Sequence, residues 1–249
     1  MKKFKIDKMI DKTDNYTTIK GNNLFDLPMR LLMIAKTGDS KSTTLGNLLL
    51  KKEGYRTDFT PDKIFIFSAS VKGDEKLKIM IEELDIPEEN IFNNYDDEIL
   101  SVIYDMLVED YCDNVDEGIT KPKLLNSLII FDDLAFNDSM KAQTKESIIK
   151  KIFMNGRKYL ISTIVISQKY SSLGTTLREN ASGLIIGKAS NKQVDLIEAD
   201  HNYLKGGKKI FKSMFRDTTE KPFSKLIINF SKPNLYYNQD FDPIDIADY

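Results

Sequence analysis

Two stretches of the sequence hold residues that could handle a phosphate and its metal ion. The first is Arg30 to Leu50, RLLMIAKTGDSKSTTLGNLLL. An apolar run, Leu31 to Ile34, leads into a small polar turn, and Lys41 and Ser42 stand side by side at its end. Leu45, Leu48 and Leu49 then recur at helical spacing. Strand, turn and helix with Lys-Ser at the helix start is the layout of a phosphate-binding P-loop. There, backbone N–H groups wrap the β-phosphate, the ammonium reaches the β/γ oxygens, and the hydroxyl holds Mg²⁺. The candidate nucleotide contacts are thus Thr37, Gly38, Asp39, Ser40, Lys41, Ser42 and Thr43. The pattern G-x-x-x-x-G-K-[ST] wants glycine at 35 and 40, and this chain has Ala35 and Ser40. Glycine matters there for φ > 0 and close backbone approach to phosphate. Asp39 also sets a negative charge beside an anion site. The same residues fit an ordinary strand-to-helix turn with a serine at the helix start, and nucleotide affinity is a separate question.

The second stretch is Leu128 to Asp133, LIIFDD. An apolar strand ending in two acids delivers them beside the P-loop, at the edge where open parallel sheets place ligands. Asp132 would hold the Mg²⁺ shell and Asp133 would polarise the attacking water. Many buried strands also end in Asp-Asp at a turn, so the pair gains its meaning from the P-loop upstream. A third signal is Gln168, closing the β-rich run Leu160 to Ser167. An amide donates and accepts at once, and a strand between the P-loop strand and the acidic strand would set it against the γ-phosphate or the water. Arg157 and Arg178 flank this unit. Each suits a solvated helix end, and each also suits charge stabilisation during phosphoryl transfer, from a neighbouring subunit.

These residues need a scaffold, and the pattern supplies one. Strands are expected at Leu31–Ile34, Lys63–Phe67, Leu124–Phe131, Leu160–Ser167, Gly183–Gly187, Lys209–Phe215 and Phe223–Phe230, with a short one near Tyr16–Ile19. Helices are expected at Ser42–Leu50, Lys76–Leu84, Glu98–Glu109, Ser139–Met154 and Asn191–Ala199. Glu98–Glu109 would turn Ile99, Ile103, Met106 and Leu107 to one side. Tyr111–Lys123 reads as an acidic surface loop, and the tail from Ser231 as flexible or partner-bound. Alternating strands and helices indicate an α/β fold with a mainly parallel central sheet flanked by helices. The expected division is an arm at 1–27, a P-loop domain at 28–230 and a tail at 231–249.

Composition narrows the function classes. The chain has 249 residues, and a net charge of −2 rules out a bulk polycation. Nucleic-acid contact must therefore be local or built by assembly. The candidate contacts are Lys72, Lys141, Lys145, Lys205, Lys208 and Lys209, each of which also fits a solvated surface lysine. A single cysteine, Cys112, excludes an internal disulfide framework and suits a reducing compartment. The lone His201 cannot build a histidine metal site and is expected at the surface. No apolar run approaches the roughly 20 residues that span a bilayer, and the N-terminal lysines lack a following apolar core. A soluble, intracellular protein is expected.

The order of the pieces resembles a family. IAKTGDSKSTTL, KIFIFSAS, LIIFDDL, MNGRKYLISTIVISQKY and TTLRENASGLIIGKAS look like the FtsK/HerA superfamily, closest to the viral genome-packaging branch of the poxvirus and giant-virus type. The resemblance covers Arg30 to Phe215, with GRKYLISTIVISQ its most specific part. It implies a RecA-like P-loop NTPase core of the ASCE type, ATP hydrolysis with Mg²⁺, and a homo-oligomeric ring of five or six subunits. It also implies translocation of double-stranded DNA into a capsid, with capsid vertex proteins as partners, in the host cytoplasm, virus factory or virion. By position it makes Lys41 and Ser42 the Walker A pair and Asp132 and Asp133 the Walker B pair. Gln168 becomes the sensor and Arg157, ahead of Arg178, the trans-acting arginine. Ala35 and Ser40 depart from the pattern and imply weakened hydrolysis. A HerA-type helicase, a conjugative coupling ATPase, or a P-loop scaffold or DNA-binding protein with weakened chemistry are the alternatives.

Overall fold

A computed structural model describes residues 16–132 and 147–249. Its centre is an eight-stranded sheet in the order β3-β2-β4-β5-β1-β6-β7-β8. The strands are β1 (Arg30–Ile34), β2 (Ile64–Ser68), β3 (Ile91–Phe92), β4 (Ser127–Asp132), β5 (Ile161–Ser167), β6 (Gly183–Ile186), β7 (Leu226–Asn229) and β8 (Tyr236–Tyr237). Strands β1 to β6 pair parallel with one another, while β7 runs antiparallel to β6 and to β8. Parallel strands covered on both faces read as continuous apolar runs, and β2, β4 and β5 are buried at every position.

The two-residue alternation of strand side chains splits the core. Leu31, Met33, Ile64, Ile66, Leu128 and Ile130 pack on one side with α1 (Lys41–Leu50) and α2 (Glu75–Glu83). Leu32, Ile34, Phe65, Phe67, Ile129 and Phe131 pack on the other. That layer holds α3 (Asp97–Asp116), α5 (Ile148–Asn155), α6 (Thr175–Asn180), α7 (Asn191–His201) and α8 (Gly207–Thr218). A short α4 (Pro122–Leu125) precedes β4. The register lines up the strand ends. Ser68 pairs with Asp132, Asp132 with Ile166, and Ile34 with both Ser167 and Ile186. One sheet edge therefore collects the residues that follow β1, β2, β4 and β5.

Several expectations are corrected. Lys209–Phe215 lies inside helix α8, not a strand. Phe211, Met214 and Phe215 are buried while Lys208 and Lys209 are exposed, which is helical spacing. Helix α3 continues through the supposed acidic loop to Asp116 and stops where Gly118 takes φ +79°. Its buried face is Leu100, Ile103, Tyr104, Leu107 and Tyr111, leaving Ile99 and Met106 outside. The tail adds strand β8, whose Tyr236 and Tyr237 are buried. Near Tyr16–Ile19, one bridge forms among the described residues, Thr18 to Leu27. His201 is buried, not at the surface. The expected helix Ser139–Met154 is seen as α5, with residues 139–146 outside the described part. No helix of the described residues is long and apolar enough to cross a membrane.

Candidate nucleotide site

The turn between β1 and α1 is built by its hydrogen bonds and by two left-handed residues. Ala35 N–H donates to the Ser167 carbonyl at 3.1 Å, and Gly187 N–H to the Ile34 carbonyl at 2.8 Å, so β1 ends anchored between β5 and β6. Gly38 has φ +82° and Ser40, the residue before α1, has φ +55°. The Ser40 carbonyl then accepts from the Thr44 amide at 2.9 Å and its hydroxyl at 3.0 Å, which starts the helix. The loop thus takes the positive-φ turn at 40 that the glycine of the pattern ordinarily serves. Lys41 and Ser42 occupy the first turn of α1.

The metal-side residues come from β2 and β4. Asp132 is buried at the end of β4, and its Oδ2 accepts from Ser68 Oγ at 3.0 Å and Ser70 Oγ at 3.1 Å. The turn after β2 carries Ser70 and leads to Asp74, which caps α2 by accepting from the Lys76 and Leu77 amides at 3.0 and 3.1 Å. The other oxygen of Asp74 accepts from the Ser42 hydroxyl. Lys76 Nζ reaches Thr43 Oγ1 at 2.7 Å. An open cleft of about 980 Å³ results, lined among others by Thr37, Gly38, Lys41, Ser42, Asp74 and Asp132. A second cavity of about 670 Å³ shares Ser40, Thr43 and Phe223 with it and continues past Asn47 to Phe241.

The cleft brings together Lys41, Ser42 and Asp132 from distant segments. Its donors suit a hard cation. Mg²⁺ takes oxygen ligands, keeps several waters and binds through one or two carboxylates plus phosphates, so Ser42 and Asp132 fit without a cage. Among the described residues no group of three or more histidine, cysteine or acidic side chains gathers to hold a metal. Asp133 lies outside the described residues, as do Lys141 and Lys145. Sequence reasoning missed Asp74, Ser70 and Lys225. Asp74 carried one legible signal, an acid just before an amphipathic helix, which marks an N-cap.

Strand β5 does lie between β1 and β4. Gln168 follows it and is exposed. It lines a small cavity of about 290 Å³ with Ala35, Lys36 and Gln193, beside the loop's entry rather than in the main cleft. Asp39 faces the sheet side of the loop, with Oδ1 3.5 Å from Lys225 Nζ. Arg157 is exposed in the turn before β5, at the opposite sheet edge. Seven strand residues separate the two edges, roughly 20 Å at ~3.3 Å per residue. Arg157 also lowers the pKa of half-buried Arg30, mainly set by burial, so two arginines crowd that edge. Arg178 has a partner the sequence hid. It donates to Asp200 Oδ2 at 2.7 Å, and Asp200 also accepts from the Tyr170 hydroxyl at 2.8 Å. His201 Nε2 lies 2.7 Å from that hydroxyl. With the Tyr170 O–H donated to Asp200, the phenol oxygen can accept from His201 Nε2–H. Burial holds its pKa down at about 4, with Asp200 opposing and Arg178 adding.

The DNA-contact candidates divide. Lys72 is exposed in the turn after β2, at the cleft edge. Lys205, Lys208 and Lys209 are exposed around Gly206–Gly207, before and at the start of α8. Lys208 pairs with Asp195 at 3.0 Å, which Lys212 also reaches at 2.5 Å.

Comparison with known proteins places this arrangement. The genome packaging NTPase B204 of Sulfolobus turreted icosahedral virus 2, in complex with AMP, superposes with TM-score 0.56 at 12% identity, over 86% of this chain and 97% of that one. EssC (ATPases 2 and 3) from Geobacillus thermodenitrificans gives 0.56 at 16%, over 89% and 42%. The pCW3 conjugation coupling protein TcpA gives 0.52 at 11%, over 87% and 61%. At these identities the likeness is one of fold, that of P-loop ATPases. No curated protein sequence matches at a significant level. The sequence profile described as Poxvirus A32 protein matches residues 17–232, which is most of the chain. That match spans well over half of the sequence and shows the family: the chain belongs to the poxvirus A32 protein family.

Proposed function

We propose that the protein is an ATP-driven motor subunit that moves double-stranded DNA during viral genome packaging. The observation that carries this reading is the meeting of Lys41, Ser42 and Asp132 in one open cleft beside a left-handed loop. The amides of residues 37–43 bind the β-phosphate, and Lys41 binds the β/γ oxygens. Ser42 and Asp132 would hold the Mg²⁺ shell, and the ion would supply charge neutralisation for the transferring phosphoryl group. Asp74 orients the Ser42 hydroxyl. Asp133 takes the role of water-activating acid, and Gln168 that of sensor. The base and ribose fit the adjoining cavity, where Phe223 and Phe241 offer aromatic surface.

A ring is supported by the opposite edge. Arg30 and Arg157 crowd like charges there, and Arg157 makes no ion pair among the described residues, so an anion from a neighbouring subunit would relieve them. Arg157 is the trans-acting arginine of a ring of five or six subunits, while Arg178 is held by Asp200. DNA is held by lysines multiplied through ring symmetry, and capsid vertex proteins receive the ring, in the host cytoplasm, virus factory or virion. The deciding experiment is DNA-stimulated ATPase activity of the purified chain with Mg²⁺. Turnover should rise with duplex DNA and vanish in Lys41→Ala. Activity no higher than that of Lys41→Ala would replace the motor by a P-loop scaffold.

A further inference from the structure

We propose that Lys225 is a positioning residue for the phosphate-binding loop: it holds the Asp39 carboxylate against the sheet, away from the nucleotide's phosphates, and braces Ser40 in its left-handed turn. The inference rests on the nucleotide reading above. It explains how a loop with an acid at 39 and serine at 40 can still receive an anion.

Three features converge. First, antiparallel strand β7 begins where parallel strand β6 ends, since Leu226 pairs with Ile186. Lys225 is therefore delivered to the loop from a segment far away in sequence. Its side chain is only 3% exposed, and its three N–H groups meet three acceptors. These are the Phe223 carbonyl at 2.8 Å, Ser40 Oγ at 3.4 Å and Asp39 Oδ1 at 3.5 Å. The last two are long contacts, ionic and steering rather than short hydrogen bonds.

Second, Asp39 sits in a slot cut to its shape. A Cβ on Gly187 would lie 2.0 Å from Asp39 Oδ2 and 3.3 Å from Ala35 Cβ. Oδ2 itself is buried with no hydrogen-bond partner among the described residues. Such a carboxylate is costly unless a cation stands close. Lys225 is that cation. Burial draws its pKa below the ordinary lysine value and Asp39 pushes it back up. Without the ammonium, the carboxylate's better-solvated alternative is to turn outward, toward the phosphate site.

Third, Ser40 occupies φ +55°, where a side chain is strained. Its hydroxyl makes no helix-capping bond and lies instead within reach of Lys225. Ala35, Asp39, Ser40, Gly187 and Lys225 thus form one set, in which the long-range lysine stands in for a loop glycine.

The test is a double-mutant cycle read by calorimetry of Mg²⁺-ATP binding to the full chain. Lys225→Met should weaken ATP binding by about tenfold or more. Asp39→Asn in that background should restore most of the loss, and Asp39→Asn alone should bind at least as tightly as the parent. Lys225→Arg should retain parent affinity. If Asp39→Asn fails to rescue, Lys225 acts on the phosphates directly and the proposal is overturned, as it is if Lys225→Met binds normally. Should Lys225→Met not fold, Asp39→Asn alone decides, because a loss of affinity there overturns the idea. A parent chain that binds no ATP would remove the nucleotide reading and this inference together. A parent that binds without coupling between 39 and 225 removes only the inference.

Discussion

The two edges of the sheet are chemically opposite. Where the parallel strands end, the chain gathers acids and hydroxyls: Ser42, Ser68, Ser70, Asp74 and Asp132, with Lys41 and Lys225 among them. Where they begin, it gathers cations: Arg30 and Arg157 crowd one another, and Lys205 and Lys209 are exposed without ion pairs among the described residues. The first edge pairs many of its polar groups internally, Asp132 with Ser68 and Ser70 and Asp74 with Ser42. The second carries Arg157, Lys205 and Lys209, which make no ion pair among the described residues. On the ring reading proposed above, such edges would stack so that one protomer's Arg157 meets its neighbour's nucleotide.

The largest test of that contrast is Arg157→Ala. On the ring reading it should cut turnover by about 10³-fold or more, with ATP affinity nearly unchanged. Mixing it with Lys41→Ala subunits should recover activity, since each lacks a different half of the site. Mixtures that assemble but stay inactive would mean the cationic edge does not face a neighbour's cleft.

A smaller effect is expected from Asp133→Asn, about 10²- to 10⁴-fold in turnover, the range for a lost proton acceptor. ATP binding should persist, because Lys41, Ser42 and Asp132 are untouched. Parent-like hydrolysis would move the water-activating role to another acid, Asp138 or Asp74.

The Arg178–Asp200–Tyr170–His201 chain sharpens the difference between the two arginines. Arg178→Ala should lower unfolding free energy by about 1–3 kcal/mol, because it strands a half-buried carboxylate. Mixing with Lys41→Ala should not repair it, in contrast to Arg157→Ala. The same cluster predicts a pH effect. His201 titrates near 4 when folded and near 6.5 unfolded. The unfolded chain therefore binds more protons between those values. His201 contributes stability above about pH 6.5 that is lost as pH falls toward 4, at most about 3 kcal/mol. Urea unfolding at pH 7 and pH 4.5 should show a drop that His201→Gln reduces.

The smallest expected change is in DNA binding. Neutralising Lys205 and Lys209 should flatten the log–log salt slope by about 0.9 for each lost phosphate contact on duplex DNA. The Lys72→Gln variant tests the cleft edge in the same way. A slope altered only by Lys72→Gln would put the DNA on the nucleotide side.

Within its own stretches the sequence determined a great deal. The RLLMIAKTGDSKS run set strand, turn and helix because apolar periodicity and the Lys-Ser pair are local signals. LIIFDD and LISTIVIS announced two buried strands by their uninterrupted apolar runs, and their flanking polar residues marked the site. Local signals also misled. The run KIFKSMF is short enough to fit either a strand or a helix, and only packing of Phe211, Met214 and Phe215 against the core decided for α8. The acidic stretch after Glu109 concealed a helix because Tyr111 finds its partners in Leu125 and Leu160, far along the chain. What only the tertiary structure decided was pairing across distance. Asp74 meets Ser42, Asp200 holds Arg178, and Lys225 takes Asp39, each through strand order and register rather than spacing. Electrostatic partners are chosen by proximity in space at low dielectric. A chain that brings β7 beside β6 in reverse creates a lysine contact with the loop between β1 and α1 that its linear order does not display.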